Sequence, residues 1–418
     1  MNAARSTPDR RPTAGECRPG KVSDPSSESQ RLEAANGGRK ARILFVDHAA
    51  GIGGAERNLL LLIRYLDPEC WSPLLACPDG SFARQAAAQG IPLVSAHLPR
   101  LWSSPRFPLD WFLGARSITR AIRQAHVDLV VANTVRSAFY CMLAARLVKV
   151  PFIWYMQDFW LTETRPRRAF GDALGKSSLY RSASLVLANS FATARHLPCS
   201  RKVEVVHPGI DIQSFQPDPE NALEFRNRYH IPQQAQLVGM VARMRPWKGQ
   251  ERFLGVAARV RSQLPETRFV LVGGDPFQIG DQHRQKMEQL ASELGIRAST
   301  TFTGHLDDVR PALAAMDVFV HPGDPEPFGI VNIEAMAIGN PVVAFDHGAL
   351  PEIVEHGKTG FLIPPGDLDR LAGAVLELLG SSRQRADMGQ RGRARAAQRF
   401  TIRRSAARVS ELFESVLL

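Results

Sequence analysis

The chain has 418 residues, 44% of them hydrophobic and 22% charged, the composition of a globular protein of roughly two to three domains. Its five cysteines, Cys17, Cys70, Cys77, Cys141 and Cys199, form no C-x2-C pair. They argue against a disulfide scaffold, a zinc ribbon or a thioredoxin-type site, and fit a reduced, cytoplasmic setting. The net charge of +11 concentrates at the ends, with +4 over residues 1–42 and +6 over 381–418. No zinc finger, RNP-like motif or basic zipper accompanies it, so no nucleic-acid partner is expected. Anionic lipid or a phosphorylated ligand is the partner that such charge suits.

Residues 1–41 are rich in Ser, Pro, Gly, Arg and Glu, with almost no large apolar side chains. They cannot bury enough surface to offset chain entropy and are expected to be a disordered tail. From Arg42 onward short apolar runs alternate with helical patterns. Strands are expected over 43–47, 73–77, 129–133, 152–156, 185–188 and 203–207, with helices over 55–66, 109–125 and 137–148. Strands apolar along their whole length, alternating with helices, indicate a parallel sheet covered on both faces. His207-Pro208-Gly209-Ile210-Asp211 and the polar stretch 213–220 then read as a linker. The alternation restarts with strands over 237–241, 269–273, 300–303, 318–321 and 342–345, and helices over 248–264, 284–294, 330–338 and 368–379. The expected organisation is a tail (1–41), one doubly wound domain (42–210), a second (211–398) and a terminal helix (399–418). In such sheets ligands bind beyond the carboxyl ends of the strands, so two facing domains make a cleft.

Three loops after strands carry candidate chemistry. Gly51-Ile52-Gly53-Gly54-Ala55-Glu56 follows the first strand and opens a helix, where bare backbone and the helix N-terminus suit a phosphate. It is not a complete G-x-G-x-x-G fingerprint and has no ribose-binding acid after the second strand, which argues against a dehydrogenase. Ala242-Arg243-Met244-Arg245-Pro246-Trp247-Lys248-Gly249 follows the first strand of the second domain. Arg243, ending that strand, and Lys248, expected to begin the next helix, can converge on a diphosphate. Glu326-Pro327-Phe328-Gly329-Ile330-Val331-Asn332-Ile333-Glu334 sets two carboxylates eight residues apart around a helix start. A carboxylate accepts two hydroxyl donors at once and so suits a sugar diol. Taken singly, each of these also reads as a turn, a solvated charge or a helix cap.

Together with Gly339-Asn340-Pro341-Val342-Val343-Ala344 and Pro351-Glu352-Ile353-Val354-Glu355-His356-Gly357-Lys358-Thr359-Gly360, these segments resemble the retaining GT-B glycosyltransferases of family 4 over about residues 42–400. The resemblance implies an α/β GT-B fold of two Rossmann-like domains and transfer of a hexose-type sugar from a nucleotide-diphosphate sugar to a glycan or lipid-linked hydroxyl. It implies that Arg243 and Lys248 neutralise the donor diphosphate, Glu326 hydrogen-bonds the donor sugar beside the N–H groups of Phe328, Gly329 and Ile330, and Glu334 holds the ribose. Gly53 and Gly54 would approach the diphosphate, and His305 and Leu306 the base. Cations already in place on the leaving phosphate make a metal unnecessary. The only D-x-D, Asp367-Leu368-Asp369, reads as a helix cap after Pro365-Gly366, so neither metal nor other cofactor is expected.

The sequence departs from the family after the fourth strand, where Tyr155-Met156-Gln157-Asp158 stands in place of a histidine. Gln157 is no base and can only hydrogen-bond; Asp158 either orients or deprotonates the acceptor hydroxyl or caps a helix. His48, His207, His305, His321 and His347 are further candidates for hydrogen bonds in the cleft. The segment 98–112, with Trp102, Trp111, Phe107 and Phe112 among arginines, and Arg165-Pro166-Arg167-Arg168 suit a lipid–water interface. The other reading makes Trp111 and Phe112 core residues and Trp102 a loop anchor. The amphipathic stretch from Ile402 is expected to cross back to the first domain. A GT-B sugar-nucleotide epimerase or an inactive nucleotide-sugar-binding subunit would share most of these features.

Overall fold

The computed structural model describes residues 39–99, 101, 106–159, 169–198, 202–274 and 281–418. Residues 1–38 of the expected tail, Trp102 and the cluster Arg165–Arg168 lie outside the described residues; the end of the expected tail is ordered, with Arg39 paired to Asp128 and Ala41 opening the first strand.

Two six-stranded, all-parallel sheets form the frame. The first holds β1 (Ala41–Val46), β2 (Trp71–Ala76), β3 (Leu129–Ala132), β4 (Phe152–Met156), β5 (Leu185–Ala188) and β6 (Val203–Val205) in the order β2-β1-β3-β4-β5-β6. The second holds β7 (Leu237–Val241), β8 (Arg268–Val272), β9 (Thr300–Gly304), β10 (Val318–His321), β11 (Val342–Phe345) and β12 (Gly360–Ile363) in the order β12-β11-β10-β7-β8-β9. Chain direction across each sheet reverses at one place, between β1 and β3 and between β7 and β10. Those are the switch points, where loops diverge and leave room for a ligand.

The strands are apolar on both faces because both faces are covered. Phe45, Ile43 and Tyr155 pack on one side of the first sheet, while Leu44, Val46 and Trp154 pack on the other. The second sheet repeats this, with Phe319 and Val270 on one side and Phe269 and Val320 on the other. The helix Ile402–Leu417 leaves the second domain beside Phe400 and lays Val409, Leu412 and Phe413 into the core of the first. Phe413 meets Trp71 edge-on at 5.6 Å, and Trp71 Nε1 donates to Ser410 Oγ at 3.1 Å.

Several elements differ from the sequence expectation, each for a physical reason. Pro219–Arg228, which starts at the end of the polar stretch read as linker, is an unexpected helix capped by Asp218, whose carboxylate accepts from the Glu220 and Asn221 N–H groups. It buries only Phe225, so it carries almost no apolar stripe. Ser382–Arg399 is a helix whose buried residues are Met388, Gly389, Gly392 and Ala396, a stripe too small to register as apolar periodicity. The edge strand β12 is a short Gly-Phe-Leu-Ile run. Asp367 is the N-cap of Leu368–Gly380 and accepts from the Arg370 N–H, as expected.

Candidate active site

The two switch points face each other across a cleft. On the second-domain side, Arg243 follows β7 and is exposed to the cleft. Lys248 does not begin a helix as expected. It sits in the one-turn 3-10 segment Pro246–Lys248, which Gly249 in a left-handed conformation separates from the helix Gln250–Gln263. That break turns the Lys248 ammonium back over the Trp247 ring, 4.2 Å from its centroid, and onto Glu326.

Glu326 is 5% exposed and accepts from Lys248 Nζ, while His321 Nε2, at the end of β10, lies 3.3 Å from the same carboxylate oxygen. Burial pushes this carboxyl up, but Lys248 and His321 outweigh it and hold it at about 2. The backbone around Glu326 is gripped as firmly. Ala349 N donates to the Glu326 carbonyl at 3.0 Å, and a Cβ on Gly348, which has φ +56°, would lie 2.6 Å from Glu326 N and O. Only glycine fits where the loop after β11 closes on this carboxylate.

Gly329 (φ +93°) is the N-cap of Ile330–Ile338, whose first N–H groups have no intrahelical acceptor. Phe328 is buried in the core beneath, and Ile330 is partly buried. One turn into that helix Glu334 sits at the cleft wall, partly accessible. Burial pushes its carboxyl up to about 7, against the pull of Arg57 on the opposite domain, with Asp308 adding to the rise. His305 is exposed after β9, beside partly buried Leu306, at the outer end of the cleft.

On the first-domain side, Gly53 and Gly54 open the helix Gly54–Tyr65. The Gly53 N–H is taken by Glu56 Oε2 at 2.7 Å, which leaves Gly54 as the bare position. A Cβ on Gly53 would lie 3.7 Å from Arg243 Nη1, so this loop and the Arg243 loop approach across the cleft. Gly54 would meet no atom within 4 Å if given a Cβ; neither strain nor protein contact requires glycine there. Asp158 follows β4 and is exposed to the cleft. The enclosing walls raise its carboxyl, Arg243 and Lys248 lower it, and Glu326 raises it further. The structure therefore brings Asp158, Arg243, Lys248 and Glu326 into one electrostatic cluster, with Gly53 and Gly54 beside it and Glu334 further along the same wall.

Among the histidines, His48 Nδ1 is 2.7 Å from Thr134 Oγ1, and burial lowers it to about 4, with Arg136 adding to the effect. It is neutral near pH 7 and part of the floor. Gln157, expected only to hydrogen-bond, is buried and donates to Asn133 Oδ1 at 2.7 Å. Sequence reasoning did not reach the polar residues that follow the other first-domain strands, Asp47, Asn133 and Asn189. Each directly follows a strand, the one signal that could have found them. Among the described residues no three His, Cys, Asp or Glu side chains converge as a metal group, and no helix is long and apolar enough to cross a membrane.

Two facing Rossmann-like domains with a cation–carboxylate cluster between their switch points define a GT-B protein. The family model Glycosyltransferase Family 4 matches residues 52–214, and Glycosyl transferases group 1 matches 221–395. The chain is 30% identical over 314 residues to the D-inositol 3-phosphate glycosyltransferase of Streptomyces scabiei, covering 71% of this chain and 69% of that one. It is 34% identical over 264 residues to the GDP-mannose-dependent alpha-(1-6)-phosphatidylinositol monomannoside mannosyltransferase of Mycolicibacterium smegmatis, covering 60% and 65%. With other curated relatives the match spans about half of their length. The solved structure of Anabaena Alr3699/HepE in complex with UDP and glucose superimposes with a TM-score of 0.78 at 27% identity, over 89% of this chain and 99% of that one. The chain belongs to the family 4, group 1 glycosyltransferases.

Proposed function

We propose that the protein is a retaining, metal-independent glycosyltransferase that moves a hexose-type sugar from a nucleotide-diphosphate sugar to a hydroxyl of a glycan or lipid-linked acceptor, in cell-surface polysaccharide or glycolipid synthesis. The observation that carries this reading is the placement of Arg243 and Lys248 beside Glu326, with Glu334 on the same wall, at the switch point of the second sheet. Breaking an anomeric C–O bond places negative charge on the departing diphosphate and positive charge on the sugar. Fixed cations stabilise the first, and the ionised Glu326, held at about 2, is a permanent acceptor for sugar hydroxyls beside the second. Asp158 reaches this cluster from the acceptor side, where it orients the incoming hydroxyl. Binding of UDP by the Anabaena structure and the GDP-mannose in the Mycolicibacterium name support a nucleoside-diphosphate donor.

The test is a calorimetric screen of UDP, GDP, ADP and their sugars with EDTA present, on wild type and Glu334→Ala. A ligand at 100 times its Kd stabilises by about 2.7 kcal/mol. Stabilisation by one nucleotide in EDTA, lost in the variant, is the expected result; no stabilisation by any of them overturns the donor site.

The acceptor reading extends to a peripheral contact with the inner membrane face. Trp111 is anchored, its Nε1 donating to the Phe139 carbonyl at 2.7 Å, but Phe112 is 50% exposed. Along the outer faces of Phe107–Gln124, Val135–Val148 and Ala169–Ser182, the exposed Phe112, Leu147 and Leu174 lie beside Arg120, Arg123 and Arg146 around two depressions of about 520 and 510 Å³ that share Leu143. Apolar side chains ringed by arginine suit anionic headgroups. Sedimentation with anionic liposomes at low salt, lost in Phe112→Ser, is expected; no sedimentation of the wild type removes the membrane contact.

A further inference from the structure

The first-domain sheet ends in a row of buried polar side chains that no motif announces. Asp47, Asn133, Gln157 and Asn189 are each the first residue after β1, β3, β4 and β5, neighbours in the sheet, and none is more than 5% exposed. They are linked edge to edge. Asn133 Nδ2 donates to Asp47 Oδ2 at 2.6 Å, Gln157 Nε2 to Asn133 Oδ1 at 2.7 Å, and Asn189 Nδ2 to the Gln157 carbonyl at 2.9 Å. The row does not stop at the domain boundary. Thr193 Oγ1 donates to Asn189 Oδ1 at 2.7 Å, and Ser190 Oγ, which accepts from Thr193 N, donates at 2.6 Å to the carbonyl of Pro327 in the other domain.

Pro327 directly follows Glu326. The contact is returned in the opposite direction by Glu352, three residues beyond the Ala349 that holds the Glu326 carbonyl. Its carboxylate accepts from Phe191 N at 2.9 Å and Ala192 N at 2.8 Å, and His207 Nε2 lies 2.8 Å from Oε2. His207 in turn stacks on Phe328, 5.5 Å between centroids and 22° between planes. The loop bearing Glu326 is thus held from its own domain through Ala349 and from the acceptor-side domain through Ser190. Glu352 ties the two supports together.

We propose that this clasp, Glu352 on Phe191–Ala192 and Ser190 on Pro327, is a positioning device that fixes Glu326 in register with the acceptor-side sheet. Glu352 and Ser190 are positioning residues for transfer, while the nucleotide is held elsewhere, by Arg243, Lys248 and Glu334. A fully satisfied buried polar network rigidifies the surface that carries it, which is what two reactants bound to different domains require. The inference rests on the glycosyltransfer reading above.

The experiment compares wild type with Glu352→Ala and, separately, Ser190→Ala, reading nucleotide Kd, transfer to acceptor, hydrolysis of the donor by water, and the interdomain arrangement by small-angle scattering. The expected result is a transfer kcat down by up to about 100-fold, the scale of a misplacement near 1 Å. Nucleotide Kd is unchanged, the ratio of hydrolysis to transfer is raised, and the Glu352→Ala particle is wider. Glu352→Ala also removes the acceptor for two backbone N–H groups and can fail to fold; Ser190→Ala then carries the test through the kinetic split. Unchanged transfer in both variants overturns the proposal, as does a weakening of nucleotide binding (a higher Kd) together with equal falls in hydrolysis and transfer. A wild type that turns over nothing refutes the glycosyltransfer reading instead, and the scattering comparison still decides whether Glu352 sets the domain arrangement.

Discussion

The two walls of the cleft are built from opposite materials. The second-domain wall is ionic, with Arg243, Lys248, Glu326 and Glu334 around the ends of β7 and β10. The floor of the first domain is largely amide and hydroxyl, with Asn133, Gln157, Asn189, Ser190 and Thr193 satisfying one another. A leaving diphosphate needs fixed charge, whereas an acceptor hydroxyl needs a rigid surface that does not compete for its proton. On the proposed reading, fixed charge gathers where the diphosphate departs, while on the acceptor side the single carboxylate of Asp158 stands over a floor made largely of neutral hydrogen bonds.

The strongest way to break this contrast is to unbalance the ionic wall. Lys248→Ala leaves Glu326 buried with only His321 beside it, and breaking a buried ion pair costs about 3 kcal/mol or more. We expect transfer to fall at least about 100-fold, as for loss of a preorganised charge on the leaving group, together with a lowered Tm. Steady-state kinetics and a thermal melt check both. Glu334→Gln is expected to separate binding from stability. Its carboxyl, raised from 4.5 to about 7, makes the folded state bind more protons than the unfolded state between those values, so this group loses the protein stability as pH rises through that window. The variant should melt higher than wild type at pH 8, by much less at pH 5, and bind nucleotide at least about 10-fold more weakly, the worth of one charged hydrogen bond.

Glu326 has the opposite sign. Held at about 2 against an ordinary 4.5, it contributes stability that is present in full above 4.5 and is lost as pH falls from there through 2. Glu326→Gln should therefore lose Tm relative to wild type at pH 7, and that gap should narrow as pH falls below 4.5 and close only below about 2, measured by melts across the range. No change in the gap would mean that Lys248 and Glu326 are not paired in solution.

The contrast between the walls also explains what was legible in the sequence. Ionic residues announce themselves, because Arg, Lys and Glu at fixed spacing after strands are costly to place there without a task. Glu326 and Glu334 on a helix start, and Arg243 and Lys248 after β7, could be read directly, and so could the alternation that yields both sheets. Lys248 was placed one element too far along because Gly249, whose left-handed conformation breaks the chain there, looks like any helix-start glycine. Of the amide row, Gln157 alone could be read, as a hydrogen-bonding group, and the row itself could not. A single Asn or Gln after a strand is commonplace, and the row exists only once β1, β3, β4 and β5 lie side by side. Helix Ser382–Arg399 escaped for a related reason: Gly389 packs where a Cβ would lie 2.0 Å from the Gly339 carbonyl, and glycine in a helix carries no apolar signal.

The smallest expected effect is the sharpest on the neutral wall. Gln157→Leu keeps the size of the side chain and removes the donor to Asn133 Oδ1, leaving a buried acceptor without its partner. That costs about 1–3 kcal/mol, a drop in Tm without loss of the fold. Asn133 then retains only its bond to Asp47, and the floor beneath Asp158 loosens on one side. Donor nucleotide affinity should not change, because no group on the ionic wall bonds to Gln157, while KM for the acceptor should rise by a few fold. Gln157→His can restore a ring N–H toward Asn133 and should recover part of the Tm. If nucleotide affinity falls together with acceptor KM in Gln157→Leu, the two walls are not independent, and the division of labour between charge and amide does not hold.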